Sequence, residues 1–561
     1  MKQRSLQTAK PDRPVRPFWR TMLLALPFAI LLGIVVYYIM GPSRGFFHAD
    51  CTDTLFWAQA IVEGGRVLNP DFYYAAILPF GANLWFVPLI WLFGVTMLTQ
   101  TLGMAIFALV FLLAAVFLFR SLQWSYPWRL LGTAALMLIL SSSEKLREIM
   151  WGHVIYYSLI LTLVFLGLGL VVRLLRHDIF LALTPDPSPR RRRLLLVILM
   201  ALSAGAATNG FQIIAMYFVP LAGALAAEQF FDPEASRNRP TTQQAGILAA
   251  CLAIGTAIGL IGLAFMSRGG SITAGYANAF SLYSSSDDWF GNVGKFLPQL
   301  FSLLGIGVKN GTSFVSLDSL VNIAKVLGAL TILICPLLLL IAYRKIEERS
   351  TRLLLWVHIF ISAATLFTFI FGRLANASWR LTPFLGSSIV VTIAALRHFA
   401  SGVHEPAISV VRRRLAGIAI VLLLLPTGVN FVTLGSYPFN YIKDQNMSML
   451  SELLIRENLS YGYATFWHAQ ALTVMTDSRS KVRVINIPAD GVKICDYQSN
   501  KNWYLDQPGQ DEYFLLMNAS EYQVLQESDD WPLFEPEIKR QISEGGFVIL
   551  VFQENIWRIV E

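Results

Sequence analysis

Eleven apolar stretches, each near the length that a bilayer requires of a helix, constrain the fold of this chain more than any other feature. Hydrophobic residues make up 55% of the 561 residues and charged residues 14%, whereas soluble domains hold about 25% charged residues. We therefore predict a polytopic α-helical membrane protein. The predicted spans are 21–40, 100–119, 130–142, 154–172, 194–209, 211–228, 244–266, 321–343, 353–372, 384–396 and 415–433.

The distribution of Lys and Arg predicts the orientation of these spans. With a cytoplasmic N-terminus, 24 of the 44 basic residues fall in cytoplasmic segments, as the positive-inside rule requires. Residues 1–20 are then cytoplasmic, 21–433 form the membrane domain, and 434–561 lie outside the cell membrane. The net charge of +8 is thus a topology signal, and it does not indicate nucleic-acid binding.

One apolar stretch, Pro79 to Gly94, does not fit this count, because a crossing there would invert every later loop. We interpret it as a helix in the outer membrane face, within an outer loop at 41–99. The alternative register, in which this stretch crosses the bilayer, stays open. The polar tail carries β-rich runs at 482–485 and 547–552, which predict a small α/β or α+β domain.

Two acidic residues follow the first span directly. Asp50 and Asp53 are three residues apart, so they share one face of a helix that ends near Gly64 and Gly65. Such a pair could act as a general base or could hold a divalent cation such as Mg²⁺ or Mn²⁺. Asp53 could instead simply cap the helix.

Two groups of cations are predicted on the same side. Lys145, Arg147 and His153 lie where a span emerges, and Arg373 and Arg380 flank a short turn between two later spans. Either group could bind the phosphate of a lipid. The alternative is that these side chains only anchor the spans at the lipid surface.

At this point the chain resembles the GT-C superfamily of integral membrane glycosyltransferases, which includes protein O-mannosyltransferases and lipid A aminoarabinose transferases. The architecture is similar: a cytoplasmic N-terminus, one span, a long outer loop with an early acid, about ten further spans and an outer tail. The matching features are Asp50 fifteen residues before Gly65, Trp57 four residues after Asp53, an interfacial segment at 79–88, and Arg380 in Ser-Trp-Arg-Leu-Thr-Pro.

The resemblance implies transfer of a sugar from a polyprenyl-phosphate-linked donor to a glycan, lipid or protein acceptor at the outer membrane face. Asp50, with Asp53, would be the general base, and inversion at the anomeric carbon is expected. The resemblance implies no certain cofactor. The cations expected to bind the donor phosphate are Lys145, Arg147, His153, Arg373 and Arg380.

Two other functions remain open on the sequence. A lipid or polysaccharide transporter would usually place ionisable groups near the membrane midplane, and these spans hold few, with His358 the main exception. A non-catalytic receptor would use the tail as a binding module. Activity retained by an isolated tail would favour the receptor.

Overall fold

The computed structural model describes residues 18–74, 83–154, 156–176, 189–231, 239–268, 282–307, 310–401 and 406–560. The helices up to the tail are Phe18–Met40, Asp53–Gly64, Asn83–Phe93, Met97–Ser121, Tyr126–Ile139, Glu144–Arg147, Tyr156–Arg176, Pro189–Ala207, Val219–Phe231, Arg239–Met266, Ser286–Leu303, Leu317–Ile341, Arg349–Phe371, Thr382–Ser401 and Pro406–Ser436. The tail adds the helices Gln445–Arg456, Phe466–Met475, Ala519–Gln526, Trp531–Phe534 and Ile556–Val560.

Every predicted span coincides with a described helix, and the polytopic α-helical fold is confirmed. Within the described residues, eight helices are long and apolar enough to cross a membrane. The remaining three predicted spans correspond to Phe18–Met40, Tyr126–Ile139 and Pro189–Ala207. The total of eleven spans therefore stays a prediction.

The two innermost helices are Tyr156–Arg176 and Thr382–Ser401, whose side chains are almost all buried among the other helices. They pack closely because a glycine faces the partner helix. A Cβ added at Gly386 would lie only 2.5 Å from Leu161, so any larger residue would force the helices apart.

The tail folds around a six-stranded mixed sheet in the order β4-β3-β2-β6-β8-β7. The strand β2 pairs in parallel with both β3 and β6, and the helix Phe466–Met475 makes the crossover between β2 and β3. This sheet confirms the predicted α/β character of the tail. Its strands are β2 Tyr461–Thr465, β3 Lys481–Asn486, β4 Lys493–Ile494, β6 Tyr513–Asn518, β7 Ile538–Glu544 and β8 Phe547–Phe552.

The first loop is joined to the tail by a second, two-stranded sheet. Its strands β1 (Phe72–Tyr73) and β5 (Ser499–Asn500) pair in antiparallel fashion. A second contact lies further along the first loop, where the carbonyl oxygen of Val95 accepts a hydrogen bond of 2.6 Å from the tail residue Ser478. The first loop and the tail therefore lie on the same side of the spans.

This contact between the first loop and the tail also bears on the apolar stretch at 79–94, of which residues 79–82 lie outside the described residues. Both flanks of the stretch, at Tyr73 and at Val95, contact the tail. The helix between them, Asn83–Phe93, has 11 residues and a length of about 16 Å, too short to cross a bilayer. The geometry agrees with an interfacial helix and disagrees with the alternative register.

The loops separate into two groups at opposite ends of the helices. At the end next to the tail, the backbone N–H of Lys443 donates to Gly45 and the amide of Asn430 donates to Ser142. At the other end, the buried carboxylate of Glu228 pairs with Arg349 at 2.7 Å. Loops predicted on one side of the membrane thus meet at one end.

Candidate active site

The two predicted acids lie on one short turn that we call the acid turn, residues His48–Asp53. A 3-10 turn at Ala49–Thr52 runs directly into the helix Asp53–Gly64. The Thr52 hydroxyl donates to the carbonyl oxygen of Ala49 at 2.6 Å and fixes the turn. The helix ends at Gly65, whose φ of 61° is a left-handed conformation that glycine adopts without strain.

Asp53 does not cap this helix. It is the first helical residue, and the capping position belongs to Thr52, which makes no side-chain capping bond. The Oδ1 atom of Asp53 is buried and accepts no hydrogen bond from any described residue. The interpretation of Asp53 as a simple cap is therefore wrong.

The environment of Asp53 favours its protonated form. Burial and the neighbouring carboxylate of Asp50 raise the pKa of Asp53 well above its usual range, although His48 and Gln498 oppose this shift. Asp50 is only half-buried, and its carboxylate has no hydrogen-bond or ion-pair partner in the described part of the chain. Asp50 is thus the acid that is open to a substrate.

Glu148 links the acid turn to the predicted cations. The Lys145 ammonium lies 2.6 Å from Glu148 Oε1, and the Nε2 atoms of His48 and His153 each lie 3.5 Å from the same oxygen. Burial alone would raise the pKa of Glu148, but His153, His48 and Lys145 together hold it well below its usual range. Glu148 is therefore an anion whose low pKa is maintained by Lys145, His48 and His153.

Neither Glu148 nor His48 was predicted from the sequence as a site residue. The available signal was the position of an acid between Lys145 and His153 in one short loop. What sequence spacing could not show is the π-helical turn Glu148–Gly152, which brings His153 back onto Glu148.

We expect Glu148→Gln to destabilise the folded chain by about 1–3 kcal/mol, because it removes a partly buried anion that Lys145, His48 and His153 surround. Thermal unfolding of the purified protein measures this loss. Glu144→Gln is the matched control, since Glu144 and its partner Lys443 are both about half exposed and such pairs contribute little. Equal melting temperatures for the two variants would contradict the role given to Glu148.

A cleft of about 570 Å³, counted with its open mouth, lies beside the acid turn. Its apolar end is formed by the first span and by the start of the helix Met97–Ser121. Its polar end is formed by the loops on the tail side. The lining residues are Tyr38, Ser43, Arg44, Phe46, Phe47, His48, Cys51, Met97, Gln100, Thr101, Met104, Glu144, Glu148, Gly152 and Lys443.

Arg44 is the cation in this cleft that the sequence analysis missed. Its guanidinium stacks on Phe439 with 5.9 Å to the ring centroid. Its Nε atom is buried without a hydrogen-bond partner, and no acid among the described residues pairs with it. A buried donor without a partner is costly, so Arg44 is suited to bind an anion in the cleft.

Lys145 and His153, two of the predicted phosphate-binding residues, reach the edge of the cleft through Glu148. Arg147 is buried instead, where it donates to the carbonyl oxygen of Ser141 at 3.2 Å. None of the three lines the cleft itself.

Arg373 and Arg380 lie around the turn Ser378–Leu381 and are not among the residues that line the cleft. Arg380 is buried and donates to the carbonyl oxygen of Arg373 at 3.2 Å, whereas the Arg373 side chain is exposed. Lys145 of the first predicted cation group contacts the turn that carries Arg380, because its ammonium lies 4.6 Å from the ring centroid of Trp379.

Asp50 and Asp53 would be the ligands of the predicted divalent cation. In the described ranges, no three His, Cys, Asp or Glu side chains come together as a metal site. The preference of Asp53 for its proton further weakens this pair as a donor set, because a ligating carboxylate must be ionised.

Comparison with known proteins supports the fold. No protein-family model and no curated protein match this chain. The crystal structure of ArnT from Cupriavidus metallidurans bound to undecaprenyl phosphate aligns over 94% of this chain and 98% of that chain, with a TM-score of 0.54 and 11% identity. Its apo structure aligns over the same shares with a TM-score of 0.52 and 11% identity.

The archaeal oligosaccharyltransferase AglB from Archaeoglobus fulgidus, in complex with an inhibitory peptide and a dolichol-phosphate, aligns over 96% of this chain and 75% of that chain. Its identity is 12% and its TM-score of 0.48 is too low for a conclusion. The likeness to ArnT shows that the two proteins share a fold over most of both chains.

Proposed function

We propose that this protein is a membrane glycosyltransferase that moves a sugar from a polyprenyl-phosphate-linked donor to an acceptor at the outer membrane face. One observation carries the proposal. The cleft joins an apolar wall of two membrane helices to a polar end that borders the acid turn and holds Arg44, which has no acidic partner among the described residues. The shared fold with ArnT, whose structure holds undecaprenyl phosphate, supports the same assignment.

The donor binds with its lipid tail along the apolar wall and its phosphate at the polar end. Tyr38, Met97 and Met104 contact the first isoprene units there. Arg44 binds the phosphate with the help of His48. Burial lowers the pKa of His48, but Cys51 and Glu148 more than compensate and raise it to about 11, so the ring is positively charged at neutral pH.

Asp50 takes the proton from the acceptor hydroxyl as that oxygen attacks the anomeric carbon. The bond from the anomeric carbon to the phosphate oxygen breaks, and its electron pair leaves with the lipid phosphate. Arg44 and His48 stabilise the negative charge that develops on the phosphate. Attack opposite to the leaving phosphate inverts the anomeric configuration.

Asp53 acts in its protonated form and holds the acid turn, while Asp50 performs the proton transfer. This division of roles makes a divalent cation unnecessary at the pair. Turnover is accordingly insensitive to a chelator in our proposal. The sequence-predicted phosphate contacts of Lys145, Arg147, His153, Arg373 and Arg380 remain predictions, with Lys145 and His153 acting through Glu148.

The loops next to the tail, and the tail from 434 to 561, face the outside of the cell in this proposal, and residues 1–20 face the cytoplasm. Lys493 in the tail and Glu347 at the opposite end are both exposed. We expect Lys493→Cys to react with a membrane-impermeant maleimide on intact cells and Glu347→Cys to react only after permeabilisation. The reverse pattern would contradict the orientation.

The proposed function is tested in proteoliposomes with a panel of radiolabelled polyprenyl-phosphate sugars. Sugar transfer or hydrolysis, with release of the polyprenyl phosphate, is the expected result for at least one donor, with or without chelator. Passage of intact donor across the bilayer without turnover would instead identify a transporter. Function retained by the tail alone would identify a receptor.

A further inference from the structure

The acid turn is completed by a residue more than four hundred positions away. Gln498 lies on the tail between β4 and β5, next to the strand that joins the tail to the first loop. Its side chain is fully buried. Buried polar side chains are generally hydrogen-bonded, so the partners of Gln498 indicate its role.

The backbone of Gln498 is held in an uncommon conformation. Its φ is 55°, in the left-handed region that non-glycine residues seldom adopt. Its N–H donates to the carbonyl oxygen of Tyr73 at 2.8 Å, and its carbonyl oxygen accepts from the Gln470 amide. Strain that several contacts maintain together is typical of functional sites.

The side-chain amide of Gln498 has a defined orientation. Its Oε1 atom accepts a hydrogen bond of 2.5 Å from the Trp57 indole, which can only donate. The Nε2 atom is therefore the free end, and it is buried without a hydrogen-bond partner among the described residues. Trp57 lies one helical turn after Asp53, on the same helix face.

Asp53 presents the complementary unsatisfied group. Its Oδ1 atom is buried and lacks a donor, and its pKa responds to the Gln498 amide, which favours the charged carboxylate. On the other side of the turn, the Thr52 hydroxyl shares its one proton between the carbonyl oxygen of Ala49 and Gln470 Oε1, which lies 3.0 Å away. Thr52 thus contacts the tail directly, and the pKa of its neighbour Asp53 depends on the tail residue Gln498.

We propose that Gln498 is a positioning residue of the active site, whose amide bridges Trp57 and Asp53 and thereby fixes the acid turn for reaction. This proposal rests on the proposed function for its catalytic consequence. The site is then incomplete without the tail, which acts as part of the catalytic unit and is more than an appended binding module.

The test uses the full-length protein with Gln498→Gly, Gln498→Asn and, as matched control, Gln523→Leu at an exposed position of the tail. Glycine accepts the left-handed backbone, so Gln498→Gly removes the amide without adding strain. We expect the glycine variant to lower kcat about 10²-fold with little change in the donor KM, because Arg44 is untouched. Asparagine tolerates the same backbone and should recover part of the rate.

A second readout does not depend on turnover. Infrared spectroscopy follows the carbonyl stretch of a protonated carboxyl group, assigned to Asp53 by its absence in Asp53→Asn. In Gln498→Gly the band should persist to higher pH than in wild type, since the amide favours the carboxylate. A band that titrates at the same pH in both proteins would overturn the proposal, as would an unchanged kcat in a folded glycine variant.

The two readouts separate this proposal from the proposed function. A shifted infrared titration in a protein that turns over no donor would support the contact between Gln498 and Asp53, while it would overturn the glycosyltransferase assignment.

Discussion

Asp50→Asn is expected to lower sugar transfer by about 10²–10⁴-fold, the range associated with loss of a general base. Asp50 is the half-buried acid of the turn and has no partner of its own among the described residues, so its carboxylate is free to accept the proton of an acceptor hydroxyl. Asparagine keeps the size of the side chain but cannot take that proton. The initial rate of sugar transfer in proteoliposomes measures the effect.

Asp53→Asn is the matched control for this prediction. Because burial and Asp50 raise the pKa of Asp53 and so favour its protonated form, a neutral amide of the same shape should lower the rate by less than about tenfold. Above the ordinary pKa range of a carboxyl group, the Asp53→Asn protein should be more stable than wild type. The reason is that wild-type Asp53 ionises more readily in the unfolded chain than in the folded one, which lowers the free energy of unfolding as the pH rises. A larger rate loss in Asp53→Asn than in Asp50→Asn would reverse the assigned roles.

Arg44→Ala is expected to lower kcat/KM for the donor by about 10²–10³-fold, through weaker phosphate binding and through the loss of charge stabilisation on the leaving group. Arg44 lines the cleft, and its buried Nε has no hydrogen-bond partner among the described residues. The guanidinium is therefore available to bind the donor phosphate. Steady-state kinetics with the donor as the varied substrate measure the change.

Arg268→Ala is the control, because Arg268 also stacks on an aromatic ring, that of Phe265 at 4.6 Å, yet does not line the cleft. Its kinetics should match wild type. Arg380→Ala, measured in parallel, tests the residue that the sequence analysis favoured for the phosphate. If Arg380→Ala caused the larger loss and Arg44→Ala none, the phosphate would belong at the turn 378–381.

The parts of this account that the sequence could predict follow from local patterns. Apolar runs predicted the helices, and the bias in Lys and Arg sorted the loops into the two groups that the structure brings together at opposite ends. The end of the helix at Gly65 was predictable because a glycine with a positive φ commonly ends a helix. The acid turn was found because Asp50 and Asp53 are close in sequence.

The rest depends on contacts between distant segments. Trp57 and Gln498 are 441 residues apart, and nothing in the sequence around Gln498 distinguishes its amide from any other polar side chain. Arg44 resembled an ordinary cation at the end of a span until the packing of Phe439 and the cleft gave it a specific environment. The topology predicted Arg373 and Arg380 near the lipid surface, but it could not show which cations line the cleft.

The proposed function depends most on where the donor lipid binds, and photo-crosslinking tests the position of this lipid directly. A polyprenyl phosphate with a photoreactive group on the isoprene unit next to the phosphate is irradiated with the full-length protein in nanodiscs, and the crosslinked peptides are mapped by mass spectrometry. The account predicts crosslinks at Tyr38 and within 97–104, reduced in Arg44→Ala. A separate cleft lies at the opposite end of the helices, lined by Arg176, Arg349 and Leu353 among others, and crosslinks confined to it would contradict this binding site.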